Sequence, residues 1–172
     1  MTQATAPQKL AAPLIAELEQ EAGTTRRVIE RVPSDKLSWR PHPKSMSLGQ
    51  LALHVATTPG MIAQIMANDT FEAPEFVQAE AASVSELIPA LEESVRSARE
   101  FLAGLDEARA AGVWKLVKGE RELMAMPRIG VVRMIMLNHW YHHRGQLSVY
   151  LRLLNVPLPS IYGPSADENP FA

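Results

Sequence analysis

Apolar residues recur along the chain at steps of three and four positions, the spacing that places side chains on one face of an α-helix. Leu10, Leu14, Leu18 and Ala22 follow this spacing in the first such stretch. Prolines separate the long segments that carry the pattern, and proline interrupts helix interiors. The sequence therefore predicts four helices, in the proline-poor segments 14–32, 44–73, 90–126 and 128–156.

Local signals place the starts of three helices. Ser47 and Gln50 predict the start of the second helix, because they form a capping box in which each side chain satisfies the other's backbone amide. The third helix is predicted to open at Ser83, and the fourth at about Pro127, a favourable first-turn residue. The pair Pro59-Gly60 lies in the middle of the second helix and predicts a kink or a split there.

The segment 112–120 alternates partly between apolar and polar residues and could be extended, but it is too short to make a sheet of its own. The prediction is therefore an all-α fold, a four-helix bundle that allows a long crossover connection between helices. We expect residues 1–172 to form a single domain, with a mobile start at 1–7 and an irregular tail at 156–172, where four prolines cluster.

The composition of the chain argues against several classes of protein. Hydrophobic residues make up 47% and charged residues 21% of the 172 positions, which is ample for a core, and the net charge of -2 argues against nucleic-acid binding. No basic leader with an apolar stretch and no run of roughly 18 apolar residues occurs, so we expect a cytoplasmic protein without a membrane partner. Cysteine is absent, which excludes thiolate metal sites and a cysteine nucleophile.

The five histidines are the remaining candidates for a metal site. His139 and His143 are spaced i, i+4, so on a helix they point the same way and could share one metal ion at about 2.0–2.1 Å per bond. His54 lies at the edge of the second helix's apolar face, and bundle cores build metal sites from facing helices. A polar network without a metal is the alternative, because buried imidazoles need partners of some kind. His42, in a proline-rich loop, and His142, on a helix flank, are predicted to lie outside the site.

Two motifs resemble those of a known family. The segment 47–56, SLGQLALHVA, resembles the first histidine motif of the DinB/YfiT-like family. The segment 139–152, HWYHHRGQLSVYLR, resembles the second, and its HxxxHRGQ element is far more specific than HxxxH alone. The tail 156–165 is also similar to the ending common in that family, so the likeness covers nearly the whole chain.

The resemblance implies a four-helix bundle with a long crossover, commonly a homodimer. It also implies a divalent metal, most often zinc or nickel, held by one histidine of the second helix and two of the last, which here are His54, His139 and His143. Several relatives are thiol-dependent transferases acting with bacillithiol, mycothiol or glutathione, among them a maleylpyruvate isomerase. Others have been described as metal-dependent hydrolases.

Both chemistries fit the same three ligands. Three neutral imidazoles leave zinc an open position, where a bound water would have its pKa lowered to about 7 and a bound thiol would be deprotonated. Any thiol, a low-molecular-weight cosubstrate, must come from solution because the chain has no cysteine. No Asp or Glu stands within one helical turn of the three histidines to act as a general base. A non-catalytic dimeric stress-response protein that binds a metal or small ligand therefore stays open as the alternative.

Supporting residues can be assigned less directly. A ligating histidine usually donates its other ring N–H to a neighbouring group, and Gln50 and Asn138 are available for this, although both could equally be capping or surface residues. Arg144 is expected to pair with Glu17 or Glu21 rather than to bind an anionic cosubstrate. Gly145 is expected to mark a packing or dimer contact.

Overall fold

The protein is predominantly helical, as the hydrophobic pattern predicts. The computed structural model describes residues 6–75 and 77–171, so the mobile start predicted for residues 1–5 lies outside the described residues. Residues 6 and 7, also predicted to be mobile, already belong to the first helix. The helices are α1 (Ala6–Ile29), α2 (Leu48–Ile65), α3 (Leu87–Ala103), α4 (Glu107–Ala111), α5 (Arg128–Val131) and α6 (His139–Leu153), and a π-helical segment, Val132–Asn138, joins α5 to α6.

A three-stranded sheet accompanies the helices, which the all-α prediction did not include. Its strands are β1 (Thr70–Glu72), β2 (Val113–Lys118) and β3 (Arg121–Pro127), in the order β1-β2-β3. β2 and β3 form an antiparallel hairpin, and β1 pairs with β2 in parallel. Segment 112–120 thus does not form a sheet alone, but it pairs with two strands that lie in segments assigned to helices or their edges.

The second helix, α2, begins at the predicted capping box and ends at Ile65. Ser47 and Gln50 form the predicted capping box, with the Ser47 hydroxyl accepting from the Gln50 amide and the Gln50 side chain accepting from the Ser47 amide. The helix is not split at Pro59, however, but continues to Ile65. Proline has no N–H to donate to the carbonyl four residues earlier, which is that of Val55.

The indole of Trp140 compensates for the missing hydrogen bond. Its Nε1 donates to the Val55 carbonyl oxygen at 2.7 Å, and the whole side chain is buried. A carbonyl freed by Pro59 is therefore satisfied by a side chain of α6 rather than by water. This bond also ties α6 to the turn of α2 that follows His54.

The core lies where the long helices meet. α3 packs on α1 and on α2, and α2 in turn packs on α6. Gly60 allows a close approach of α2 to α3, because a Cβ at this position would lie 2.7 Å from the Ser94 Cα. No helix in the described part of the chain is long and apolar enough to cross a membrane. Fully buried side chains include Leu18, Leu51, Leu91, Trp140 and Leu147 of these helices and Met136 of the π-helical segment.

Arg144 fixes the C-terminal tail to the helices. Its guanidinium, 1% exposed, pairs with Glu21 of α1 at 2.6 Å, donates to the Thr25 hydroxyl at 3.1 Å and contacts the Tyr162 hydroxyl at 2.6 Å. The predicted pairing with Glu21 is confirmed. Residues 156–171 contain no helix or strand, and the Tyr162 contacts hold this tail against α1 and α6.

Candidate metal centre

Three histidines from two helices converge on one point. His54 of α2 and His139 and His143 of α6 each offer a ring nitrogen, and the three nitrogens lie within 4.8 Å of one another. Nε2 of His54 and Nε2 of His139 are 3.0 Å apart, although the residues are 85 positions apart in sequence. Among the described residues this is the one group of three or more histidines, aspartates or glutamates with such spacing.

The local fold explains why these rings meet. His139 opens α6, so that His143 stands one turn later on the same face. The bond from Trp140 to the Val55 carbonyl holds the start of α6 against the turn of α2 that carries His54. The π-helical segment ends immediately before His139, and such wide turns recur near functional sites.

Burial keeps the three imidazoles neutral. Burial first, and then the neighbouring imidazoles of His143 and His139, lower the pKa of His54 to about 4. Burial is also the main cause that lowers the pKa of His139 and of His143. Neutral imidazoles present free lone pairs, which is the form that binds metals.

Gln146 orients one of the rings. Its amide oxygen lies 2.7 Å from Nδ1 of His143, and its amide nitrogen donates to Nε2 of His142 at 3.0 Å. With the amide in this orientation, Nδ1 of His143 donates its proton and Nε2 keeps its lone pair for a ligand. His142, predicted to lie on a helix flank outside the site, is exposed, and through this bond it supports the amide that contacts His143.

Gln50 and Asn138, proposed from sequence as hydrogen-bond partners of the ligating histidines, have other roles. Gln50 completes the capping box and donates to the Gln78 carbonyl, and Asn138 is exposed. The signal for Gln146 was present in the HxxxHRGQ element, because position i+3 on a helix lies next to the histidine. His42 is exposed, as predicted, and accepts from the Lys44 amide in its own loop.

The donor set fits a divalent metal ion. At 2.0–2.1 Å per bond, three nitrogens around one tetrahedral ion stand about 3.4 Å apart. Here one pair of nitrogens is 3.0 Å apart, and all three lie within 4.8 Å of one another. Imidazole suits zinc, copper, iron and nickel, whereas magnesium and calcium take oxygen ligands. The three histidines could therefore hold one transition-metal ion and would leave further coordination positions free.

A cavity of about 310 Å³ borders His54. Leu53, Thr57 and Met61 of α2 form one side of it, and residues 74–75 and 77–79 of the connection after β1 form the other. Glu75, one of these, brings a carboxylate to the cavity wall that no spacing along the helices reveals. Of the three histidines, His54 is thus the one that lines this cavity.

The fold and the three histidines define a predominantly helical protein with a site that could hold a metal ion. The DinB family model matches residues 1–169, and the chain belongs to the DinB family. Among curated proteins it is similar to YrdA, an uncharacterized protein of Bacillus subtilis (strain 168), at 26% identity over 160 residues, covering 87% of this chain and 86% of YrdA.

Solved structures share the fold. A DinB-like protein from Bacillus cereus ATCC 10987 superposes with a TM-score of 0.67 at 21% identity, covering 87% of this chain and 95% of that one. A DinB-like protein of Bacillus subtilis, YjoA, gives a TM-score of 0.65 at 18% identity, with 87% and 97% covered. A putative DinB family member from Exiguobacterium sibiricum 255-15 gives 0.64 at 21% identity, with 93% and 97% covered.

Proposed function

We propose that this protein is a metal-dependent enzyme, either a thiol S-transferase or a hydrolase, with zinc or nickel bound by His54, His139 and His143. The observation that carries the proposal is the convergence of three neutral imidazoles on one point beside a cavity. A structural zinc site closes all four positions with protein ligands, whereas a three-ligand site leaves one for a substrate or water.

A divalent ion in this site supplies a Lewis acid with an open position, at which either water or a thiol can be activated. The chain's own residues hold the ligands and shape access. Gln146 keeps the His143 ring in one tautomer, and the Trp140 bond to Val55 keeps the two helices in register. Glu75 could accept a proton at the cavity wall, because it is a carboxylate in the cavity that His54 borders.

The second candidate is a binding protein without turnover. It is favoured by the absence of any Asp or Glu within one helical turn of the three histidines. Glu75 is 95% exposed along its side chain and lies 3.7 Å from Lys118, so it is a solvated carboxylate that already has a cationic partner. In this case the metal centre would bind a small ligand without converting it.

We also propose that the long helices act as a four-helix bundle with a long crossover and that the protein forms a homodimer. The dimer is supported by α6, where a Cβ on Gly145 would meet no described atom within 4 Å, so the glycine has no packing role inside the described chain. Val149 and Leu153, one and two turns further, are each 57% exposed apolar side chains. A Val149→Asp variant should shift the mass measured by light scattering from dimer to monomer.

A panel assay separates the enzyme from the binding protein. Metal-loaded protein is offered a small electrophile with glutathione, bacillithiol or mycothiol, and separately simple esters and amides. Turnover that a chelator removes and added metal restores supports the enzyme, provided that His143→Ala abolishes it and His42→Ala, a change at an exposed histidine, does not. If the metal-loaded protein turns over none of these substrates, the result supports the binding protein without turnover.

A further inference from the structure

A second cavity, of about 340 Å³, lies between the sheet and the helices. Every residue that lines it is apolar, from α2, from the turn after β1, from all three strands and from the start of the last helical run. Its volume is near the lower end of the roughly 300–1,000 Å³ range of small-molecule pockets. A charged group in this space would lose its hydration without gaining a partner.

The sheet forms one wall of this cavity. Phe71 of β1 pairs in register with Leu116 of β2, and Leu116 pairs with Met124 of β3, so the three side chains form one row across the sheet. Trp114, two residues before Leu116, also lines the cavity, and its Nε1 donates to the Ile65 carbonyl of α2. This bond ties the sheet wall to the helical wall.

The apolar cavity adjoins the candidate metal centre. Met61 and Pro74 line both this cavity and the one that borders His54, so the two cavities share a boundary. On the other side Ile135 lines the apolar cavity and stands four residues before His139 in the same helical run. The apolar cavity is therefore adjacent to the cavity that His54 borders.

We propose that the substrate of the metal centre carries an uncharged aliphatic or aromatic portion that fills this apolar cavity, while its polar, reacting end reaches the three histidines. This inference rests on the proposed metal-dependent function and names the substrate class for it. The small polar thiol of a transferase would then approach from the side of Glu75, and the apolar portion belongs to the other reactant. In a hydrolase, the same apolar portion would belong to the acyl group or the leaving group of the substrate.

The test uses zinc-loaded full-length protein and a series of straight-chain hydroxamates, from acetohydroxamate to octanohydroxamate, whose head group binds zinc. Affinity is measured by calorimetry, and zinc content is checked for each variant. Each buried methylene is expected to tighten binding about fourfold until the cavity is filled. Met124→Glu places a carboxylate in the apolar row and should remove this gain, while binding of acetohydroxamate is unchanged.

Leu123→Glu is the matched control, because it places the same charge at the neighbouring position of β3, where the side chain is 43% exposed and does not line the cavity. It should keep the full gain with chain length. Ala73→Trp, which fills the cavity without adding charge, should shorten the longest chain that still gains affinity.

The outcomes distinguish the two proposals. Hydroxamates that all bind zinc-loaded protein with equal affinity would overturn the substrate class and leave the metal centre standing. A gain that persists in Met124→Glu would overturn it as well. If no hydroxamate binds, the proposed function fails first; binding of the uncharged dye N-phenyl-1-naphthylamine to metal-free protein then shows whether the cavity accepts apolar molecules independently of a metal.

Discussion

The amide oxygen of Gln146 lies 2.7 Å from Nδ1 of His143, one turn further along α6. On its other side the amide nitrogen of Gln146 donates to Nε2 of His142 at 3.0 Å. A side chain that ligates nothing thus decides which nitrogen of His143 is free for a metal. Groups of this kind hold ligating histidines in metal proteins generally.

Replacing Gln146 with alanine should weaken metal binding without unfolding the protein. Loss of such a supporting bond typically costs about 10–100-fold in metal affinity, because the ring is no longer held in the binding tautomer. Affinity is measured by competition with a chromophoric chelator. Gln20→Ala, at an exposed glutamine of α1, serves as the control, and equal affinities in the two variants would remove Gln146 from the site.

The buried pair of Arg144 and Glu21 should contribute strongly to stability. Arg144→Ala leaves the Glu21 carboxylate, 6% exposed, without its cationic partner, a change that typically costs about 3–5 kcal/mol. Urea unfolding measures the free energy. Arg99→Ala breaks an exposed pair with Glu19 and should cost less than about 1 kcal/mol, so similar losses in both variants would contradict this account.

Two glycines should respond oppositely to alanine. Gly60→Ala would place a methyl group 2.7 Å from the Ser94 Cα, and overpacking of this kind costs about 1–3 kcal/mol. Gly23→Ala on α1 meets no described atom within 4 Å and should stabilise the protein by about 1 kcal/mol through helix propensity. Thermal unfolding of the two variants measures both effects, and a stabilised Gly60→Ala would mean that α2 and α3 are further apart.

Metal-free protein should lose stability as the pH falls from about 6.5 to about 4. The pKa of His54 is lowered from 6.5 to about 4 in the folded state, so the unfolded chain takes up the proton first. The free energy of unfolding is therefore highest above pH 6.5. It falls towards pH 4, and the total loss due to His54 is on the order of 3 kcal/mol. Urea unfolding at several pH values gives the free energy of unfolding as a function of pH. This free energy should depend less on pH in His54→Asn than in the wild type. An equal pH dependence in the two proteins would exclude this role for His54.

The helices could be predicted because their signals are local. The capping box of Ser47 and Gln50 and the i, i+4 spacing of His139 and His143 depend on residues within one turn. The sheet could not be predicted in this way, because β1 has only three residues and pairs with a strand that begins more than forty positions later. Most of β3 falls in the proline-poor segment 90–126, which was assigned to the third helix, and its pairing with β2 was missed for the same reason.

The continuous second helix depended on a tertiary contact. The pair Pro59-Gly60 predicts a kink or a split from sequence, yet α2 is not split, and the Trp140 indole satisfies the Val55 carbonyl that the proline leaves free. Gln146 was missed among several nearby polar residues, since only the folded arrangement shows that its amide bridges His142 and His143. The three histidines themselves were found because two share a helix face within the specific HxxxHRGQ element. The third lies in a segment that resembles the family's first histidine motif.

Elemental analysis of untagged protein purified at neutral pH tests the central claim most directly. The account predicts about one zinc or nickel ion per chain in the wild type and in His42→Ala, and none in His139→Ala or His143→Ala, with helical content by circular dichroism unchanged in all four. Protein that contains no divalent metal ion, and takes up none when zinc or nickel is added, would contradict it.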